Sequence, residues 1–359
     1  MHRPLTRLLI SAPLLASLAC PIVRADPPAS GAPKDHPLTG KEITPEMNAA
    51  VERGLAFLAS RQQADGSIGK QDSYGARSGI TALAGIAFLA GGNLPGRGKY
   101  GQNVERAVNF LLSNAMESGL LASEQAHAVM YSHGFATLFL AEVYGMTGDE
   151  RVKERLQKAV RLIQRTQNPE GGWRYTPAPV DADISVTIAQ VMALRAARDA
   201  GIKVEKEVID KAVAYVRKCQ NADGGFSYQA RDGGMMGGSG FPRSAAGVAT
   251  LYYAGIYEGD EIKRGVSYLL RFQPGKGQDQ QGHYYYGHYY AVQAMFMTGG
   301  EAWAKWFPAI RDELLRRQNR ASGGWTGDVS EEYATAMALI VLQMPNRYLP
   351  VFSGKGPGS

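Results

Sequence analysis

Three stretches of this chain are variations on one unit. LQKAVRLIQRTQNPEGGWRY from Leu156, VIDKAVAYVRKCQNADGGFSY from Val208 and PAIRDELLRRQNRASGGWTG from Pro308 each read as an amphipathic helix, a Gln near its end and a Gly-Gly-aromatic turn. A polar loop and a second, more apolar helix follow: DISVTIAQVMALRAARDAG, SAAGVATLYYAGIY and EEYATAMALIVLQMP. Weaker copies start at Val51, Val104 and Ile262. That makes about six units of roughly 40–55 residues, a helical-repeat period.

The two helices of a unit differ in a way that dictates their layer. The first carries Lys, Arg and Glu on one face and Ala, Val, Leu and Tyr on the other, the pattern of a surface helix. The second is Ala, Gly, Thr, Val, Leu and Met nearly all round, the pattern of a buried one. An inner ring of apolar helices inside an outer ring of charged ones follows. An open stack would need polar capping repeats at both ends, and the chain shows none. The expected fold is therefore all-α: an α/α toroid, a closed barrel of about six helix hairpins. In the turns Gly171-Gly172-Trp173, Gly224-Gly225-Phe226 and Gly323-Gly324-Trp325, glycine supplies the positive φ that ends the outer helix, and the aromatic ring packs between repeats.

Composition bounds the rest. Of 359 residues, 45% are hydrophobic and 20% charged, ordinary for a globular protein. Arg3 and Arg7 precede an apolar run from Leu8 to Val23, and Val23-Arg24-Ala25 offers a small-residue cleavage site, so residues 1–25 read as a signal peptide and the protein as secreted or periplasmic. The run is short and interrupted by Pro13 and Pro21, which argues against a membrane span. Removing Arg3, Arg7 and Arg24 leaves 36 basic against 33 acidic residues, and these are scattered over helices, so no nucleic-acid partner is expected. Cys219 is then the remaining cysteine, which excludes an intramolecular disulfide. Residues 26–45 read as a flexible tether, 46–352 as one repeat domain and 353–359 as a disordered tail.

The turns resemble the repeats of protein prenyltransferase β-subunits and squalene/oxidosqualene cyclases, in which a Gln followed by Gly-x-Trp ends each outer helix. The matches are Gln167 with Gly171-Gly172-Trp173, Gln220 with Gly224-Gly225-Phe226 and Gln318 with Gly323-Gly324-Trp325. The resemblance implies the α/α toroid and a site inside the inner ring. Prenyltransferases hold zinc through an Asp-x-Cys pair and a distant His; this chain has no Asp-x-Cys, so no metal or other cofactor is expected. Squalene-type cyclases carry Asp-x-Asp-Asp before an inner helix. Here the sequence is Asp181-Ala182-Asp183-Ile184, in which Asp183 matches the protonating acid and Ile184 replaces the last Asp.

Every inner-helix N-terminus of such a toroid emerges at one rim, which would bring Asp183, His133, Arg243, His283, His288 and Glu332 together. Asp183 before Ser185 and Thr187 suits an N-cap as well as a general acid. His133, in Tyr131-Ser132-His133-Gly134, lies within an apolar helix, where a histidine is commonly a satisfied core residue. Glu331 and Glu332 open the last inner helix, favoured there by its dipole. The run His283-Tyr284-Tyr285-Tyr286-Gly287-His288-Tyr289-Tyr290 offers aromatic faces and hydroxyls, but its histidines are five apart, off the spacing of two metal ligands on a helix. We therefore take Asp183, His133, His288 and Glu332 as the candidate catalytic set. Asp181, Arg243, His283, Tyr285, Tyr286 and Tyr289 are the candidate ligand-binding set. The Gly233–Gly240 stretch is a candidate flap. Three functions compete. One is a non-catalytic binding or scaffold toroid, with a polar-rimmed cavity for an apolar or glycan-like ligand or a protein partner. The second is a terpene-cyclase-like enzyme with Asp183 as acid, and the third a glycan-cleaving enzyme pairing Asp183 with Glu332.

Overall fold

The computed structural model describes residues 40–70, 76–122, 127–230, 237–277 and 282–353. Residues 1–25, read as a signal peptide, and most of the stretch read as a tether lie outside these, as do residues 233–236 of the candidate flap and residues 354–359 of the expected tail. Outer helices α1 (Pro45–Arg61), α3 (Gly101–Ser113), α5 (Glu150–Arg165), α7 (Lys206–Lys218), α9 (Asp260–Leu269) and α11 (Gly300–Arg317) alternate along the chain with inner helices α2 (Ala76–Ala90), α4 (Val129–Thr147), α6 (Ile184–Asp199), α8 (Phe241–Tyr253), α10 (Tyr284–Thr298) and α12 (Glu331–Leu342). Among the described residues there is no strand.

The amphipathic periods sort the layers as read. Helix α5 buries Val152, Leu156, Ala159, Val160 and Ile163, one stripe at helical spacing, whereas α6 is buried at every position from Ile184 to Ala197. Each inner helix packs on the next, from α2 through α4, α6, α8 and α10 to α12, and α12 packs back on α2. The ring is closed, with α4 opposite α10 and α6 opposite α12.

One polar staple ties the outer ring together. The side-chain Nε2 of Gln167 donates to Gly171 O in its own turn and to Val208 O in the next outer helix, both at 2.8 Å. Gln220 does the same to Gly224 O and Glu261 O, and Gln62 to Gly66 O and Asn103 O. Gln318 donates to Gly323 O and to Ala50 O at 2.8 Å, so the last turn is stapled onto the first outer helix. The weak first repeat is thus a working member of the ring. Gly171 has a φ of 105°, and a Cβ on it would collide with the Lys211 carbonyl of α7; glycine serves both turn and close approach.

A second recurring bond joins each turn to its own inner helix. Trp173 N donates to Thr187 Oγ1, Trp325 N to Thr335 Oγ1, Phe226 N to Ser244 Oγ and Ile68 N to Thr81 Oγ1. The Trp173 and Trp325 indoles are buried and donate to Ile163 O and Leu314 O, each at 2.8 Å.

The ends are fastened down. Residues 40–44, within the stretch read as tether, lie on α11: Arg311 Nη1 donates to Lys41 O at 2.8 Å, and the Trp303 indole donates to Glu42 Oε1 at 3.3 Å. After α12 the chain makes a 3-10 turn (Met344–Asn346) and the short α13 (Pro350–Ser353), which packs on α6. On the way Asn346 bonds to Ala90 O of α2, and Val351 N to Glu142 Oε1 of α4. This C-terminal strap therefore crosses the ends of three successive inner helices and floors the ring.

Candidate functional site

Two turns of related sequence, GGWRY and GGFSY, place Tyr175 and Tyr228 at corresponding points on the rim. Backbone bonds lock the rim loops to neighbouring inner helices: Met130 N to Tyr175 O and Ile184 N to Tyr228 O, both at 3.0 Å. The two phenol oxygens meet at 2.5 Å. Arg174 lies over both rings, at 5.0 Å and 5.8 Å from their centroids, and its Nη1 pairs with Asp181 Oδ2 at 2.5 Å.

Beneath this layer is Asp183, fully buried. It caps α6. Its Oδ1 accepts from Ser185 N and Val186 N at 2.9 Å and from Ser185 Oγ at 2.6 Å. Three donors on one oxygen stabilise a carboxylate, yet burial raises the pKa of the group above the usual carboxylate range, with Arg174 and Tyr228 opposing that rise. The other oxygen, Oδ2, is buried without a hydrogen bond of good geometry. From α4, Tyr131 bonds to Ser185 Oγ at 2.6 Å, and from α10, Tyr286 donates to Ser185 O at 3.1 Å. Five rim and inner-ring residues, Asp183, Tyr131, Tyr175, Tyr228 and Tyr286, thus share one polar cluster.

The lumen below is bridged. Tyr289 of α10 meets Phe135 of the opposite helix α4, edge to face with centroids 6.1 Å apart, and Tyr290 packs on both Tyr286 and Tyr289 at 4.8 Å. Tyr289 and Tyr290 are fully buried. Of the tyrosines in the ligand-binding set, Tyr286 and Tyr289 reach across the ring, to α6 and α4.

The other sequence candidates are placed elsewhere. His133 is fully buried, and its Nδ1 accepts from Leu121 N at 3.2 Å, where the other turns use a Thr or Ser hydroxyl. Burial lowers its pKa to about 4, so it is neutral, as an acceptor must be. His288, at the corresponding point of α10, stacks among Tyr284, Phe241 and Trp306, on the side of the outer helices. Glu332 and Glu331 face Arg61 of α1, at 3.9 Å and 3.4 Å. Glu332 is therefore not paired with Asp183, although α12 stands opposite α6. Arg243 folds back along Gly240 and lends its charge to Tyr268. His283 caps α10 in a left-handed conformation, exposed, 3.5 Å from Asp328. Tyr285 donates to Thr326 O at 3.1 Å, and burial pushes its pKa to about 12. Asp181 joins the Asp183 cluster through Arg174, and its other oxygen accepts from Gln229 Nε2 at 3.1 Å. Among the described residues no three His, Cys, Asp or Glu are placed to hold a metal, and no helix is long and apolar enough to cross a membrane.

With this geometry in hand, the family models can be compared. That of the squalene-hopene cyclase C-terminal domain matches residues 136–311, and that of the prenyltransferase α/α-toroid domain residues 38–122. The chain is an α/α toroid of prenyltransferase and squalene-cyclase repeats. No curated protein matches the toroid significantly in sequence. Among solved structures it is similar to a variant of the type II terpene cyclase MstE from Scytonema in complex with geranylgeranyl dihydroxybenzoate, at 16% identity and a TM-score of 0.59, over 85% of this chain and 98% of that one. An α-1,6-mannanase variant from Salegentibacter in complex with α-1,6-mannotriose aligns at 9% identity and a TM-score of 0.61, over 83% and 98%. A protein from Actinoplanes aligns at 15% identity and a TM-score of 0.54, over 83% and 98%. At these identities the likeness is one of fold, and function must be argued from the toroid's own site.

Proposed function

We propose that this protein is an exported binding toroid, and that the tyrosine-lined mouth around Asp183 receives a hydroxyl-rich, glycan-like ligand without turning it over. The observation that carries the reading is the employment of Asp183. One carboxylate oxygen is fully used in capping α6, and the lumen beneath is occupied by Tyr286, Tyr289 and Tyr290. An acid that protonates an alkene needs an apolar chamber holding the substrate against it, and neither His133 nor His288 comes near to tune it. What the mouth does present is the half-buried rings of Tyr175 and Tyr228 with Arg174 over them, hydroxyls, and the Arg174–Asp181 ion pair. Rings that cover sugar faces, beside groups that bond their hydroxyls, are what a polyol ligand requires. The mannanase of the same fold is known in complex with a mannotriose, which supports the ligand class without extending to this chain any cleavage.

Isothermal titration against a panel of soluble oligosaccharides and lipids tests this. At least one oligosaccharide is expected to bind, and Tyr228→Phe to weaken it roughly tenfold by removing one hydrogen-bonding hydroxyl. A flat response across the panel removes the reading. A terpene-cyclase-like activity is the second reading, favoured by the Asp181-Ala182-Asp183 motif and the unbonded Asp183 Oδ2. Incubation with squalene and shorter polyprenes, followed by mass spectrometry, decides for it if product forms and Asp183→Asn abolishes it.

A further inference from the structure

The mouth holds a cation as well as phenols, and the contacts around it leave one edge of that cation unused. Arg174 is fixed from two sides. Its guanidinium lies over the rings of Tyr175 and Tyr228, at 5.0 Å and 5.8 Å from their centroids, and its Nη1 donates to Asp181 Oδ2 at 2.5 Å. Asp181 is held in turn. Its Oδ1 accepts from Ala182 N at 2.8 Å and from Gln229 Nε2 at 3.1 Å, and Gln229 Nε2 also donates to Ala182 O at 2.9 Å. Both oxygens of the Asp181 carboxylate are therefore employed. Arg174 is not so satisfied: its Nε and Nη2 have no hydrogen-bond partner among the described residues and are not closed off from solvent.

Nε and Nη2 are the side-on edge of a guanidinium, and their parallel N–H groups match two oxygens of a carboxylate or sulfate. A sugar hydroxyl engages only one of them. The hydroxyls around the edge are already committed: Tyr175 to Tyr228, Tyr131 to Ser185 Oγ and Tyr286 to Ser185 O. Each phenol oxygen keeps acceptor capacity for a ligand hydroxyl. What the mouth has in excess is thus a charged, two-pronged donor that is held in place before any ligand arrives, which lowers the cost of binding. The Asp181 pair does not forbid a second anion. It is partly open to water, with 28% of the Arg174 side chain and 52% of the Asp181 side chain exposed, so its own attraction is modest. We propose that the ligand of the mouth is an acidic glycan, whose carboxylate or sulfate docks on the Nε–Nη2 edge of Arg174 while its hydroxyls meet Tyr175 and Tyr228. This rests on the mouth being a glycan site and narrows that site to one chemical class.

Isothermal titration of the full chain with matched trisaccharides tests it. Galacturonate, mannuronate and glucuronate are compared with their neutral counterparts galactose, mannose and glucose, and a sulfated galactose trisaccharide serves as the second kind of anion. At least one anionic sugar is expected to bind roughly tenfold tighter than its neutral counterpart, the margin of charge-assisted over neutral hydrogen bonds. That margin should shrink in high salt. Arg174→Gln should erase it, and Arg174→Lys, which keeps the charge but loses the fork, should retain only a small part. A gain confined to carboxylates marks a uronate and one confined to the sulfate a sulfated glycan; both support the proposal. Neutral trisaccharides that bind as tightly as the anionic ones overturn it and leave the glycan reading of the mouth intact, a comparison that needs no variant to fold. An anion preference that survives in Arg174→Gln also overturns it, since the charged group then docks elsewhere. No binding by any probe removes both this inference and the reading on which it rests.

Discussion

His133 shows how one residue can carry the look of chemistry while serving the fold. Four turns are held by a hydroxyl on the following inner helix, at Thr81, Thr187, Ser244 and Thr335. In the second repeat an imidazole nitrogen takes that place. Replacing it with an apolar residue orphans the Leu121 N–H, and His133→Leu should cost about 1–3 kcal/mol at neutral pH, measured by urea denaturation. Asp183 behaves comparably. Asp183→Ala removes the acceptor of two first-turn amides and should cost about 1–2 kcal/mol, whereas Asp183→Asn keeps an acceptor oxygen and should cost less. Thermal unfolding of the two variants checks the order; equal losses would mean that the cap is not what Asp183 contributes. The cap was legible from Asp183 preceding Ser185 and Thr187. The role of His133 was not, since equivalence to the threonines appears only when the repeats are superposed in space.

At the scale of elements, the staple from each outer-helix Gln is the device that turns hairpins into a ring. Gln220 satisfies two carbonyls at once, one in its own turn and one at the start of α9. Gln220→Ala should cost about 1–3 kcal/mol, and the conservative Gln220→Glu nearly as much, because a carboxylate cannot donate. A loss under about 0.5 kcal/mol in chemical denaturation would show that water replaces the staple at no cost. Gly171→Ala should be worse, since it forces both a left-handed φ and a clash with the Lys211 carbonyl. The hairpins, the two layers and the glycine turns were readable because they are periodic, and period survives in a linear sequence. Tyr175 and Tyr228 carried a weaker signal, the shared register of GGWRY and GGFSY behind two turns. The direction of the tyrosines in α10 was not readable at all. Whether such a ring lines a cavity or bridges it depends on the bore of the barrel, which follows from helix packing across the ring and not from any local pattern.

For the whole molecule, closure and a polar lumen make stability a function of pH, and the sign follows from two buried groups. Burial raises Glu142 from about 4.5 to about 8, and lowers His133 from about 6.5 to about 4. Glu142 therefore keeps its proton in the folded chain after the unfolded chain has lost it, and its contribution falls as pH rises from 4.5 to 8. His133 acts oppositely: the unfolded chain gains a proton that the folded one refuses, so stability falls as pH drops from 6.5 to 4. Between 4.5 and 6.5 the two slopes oppose each other, and from 6.5 to 8 only the Glu142 slope of this pair remains, at about 1.4 kcal/mol per pH unit. The groups facing Glu142 across the lumen do not reverse this. Asp199 pushes its pKa further up, the Val351 amide draws it down only in part, and the Tyr253 and Tyr289 phenols remain protonated throughout the window. Asp183, also raised by burial, acts in the same direction as Glu142. Urea midpoints should therefore be level near pH 5–6 and decline toward pH 8, by roughly 2 kcal/mol between 6.5 and 8. Glu142→Gln should flatten that decline while leaving the acid limb to His133. An unchanged decline in the variant would place the titrating group elsewhere, and would mean that the carboxyl beneath the strap is already ionised in the folded toroid.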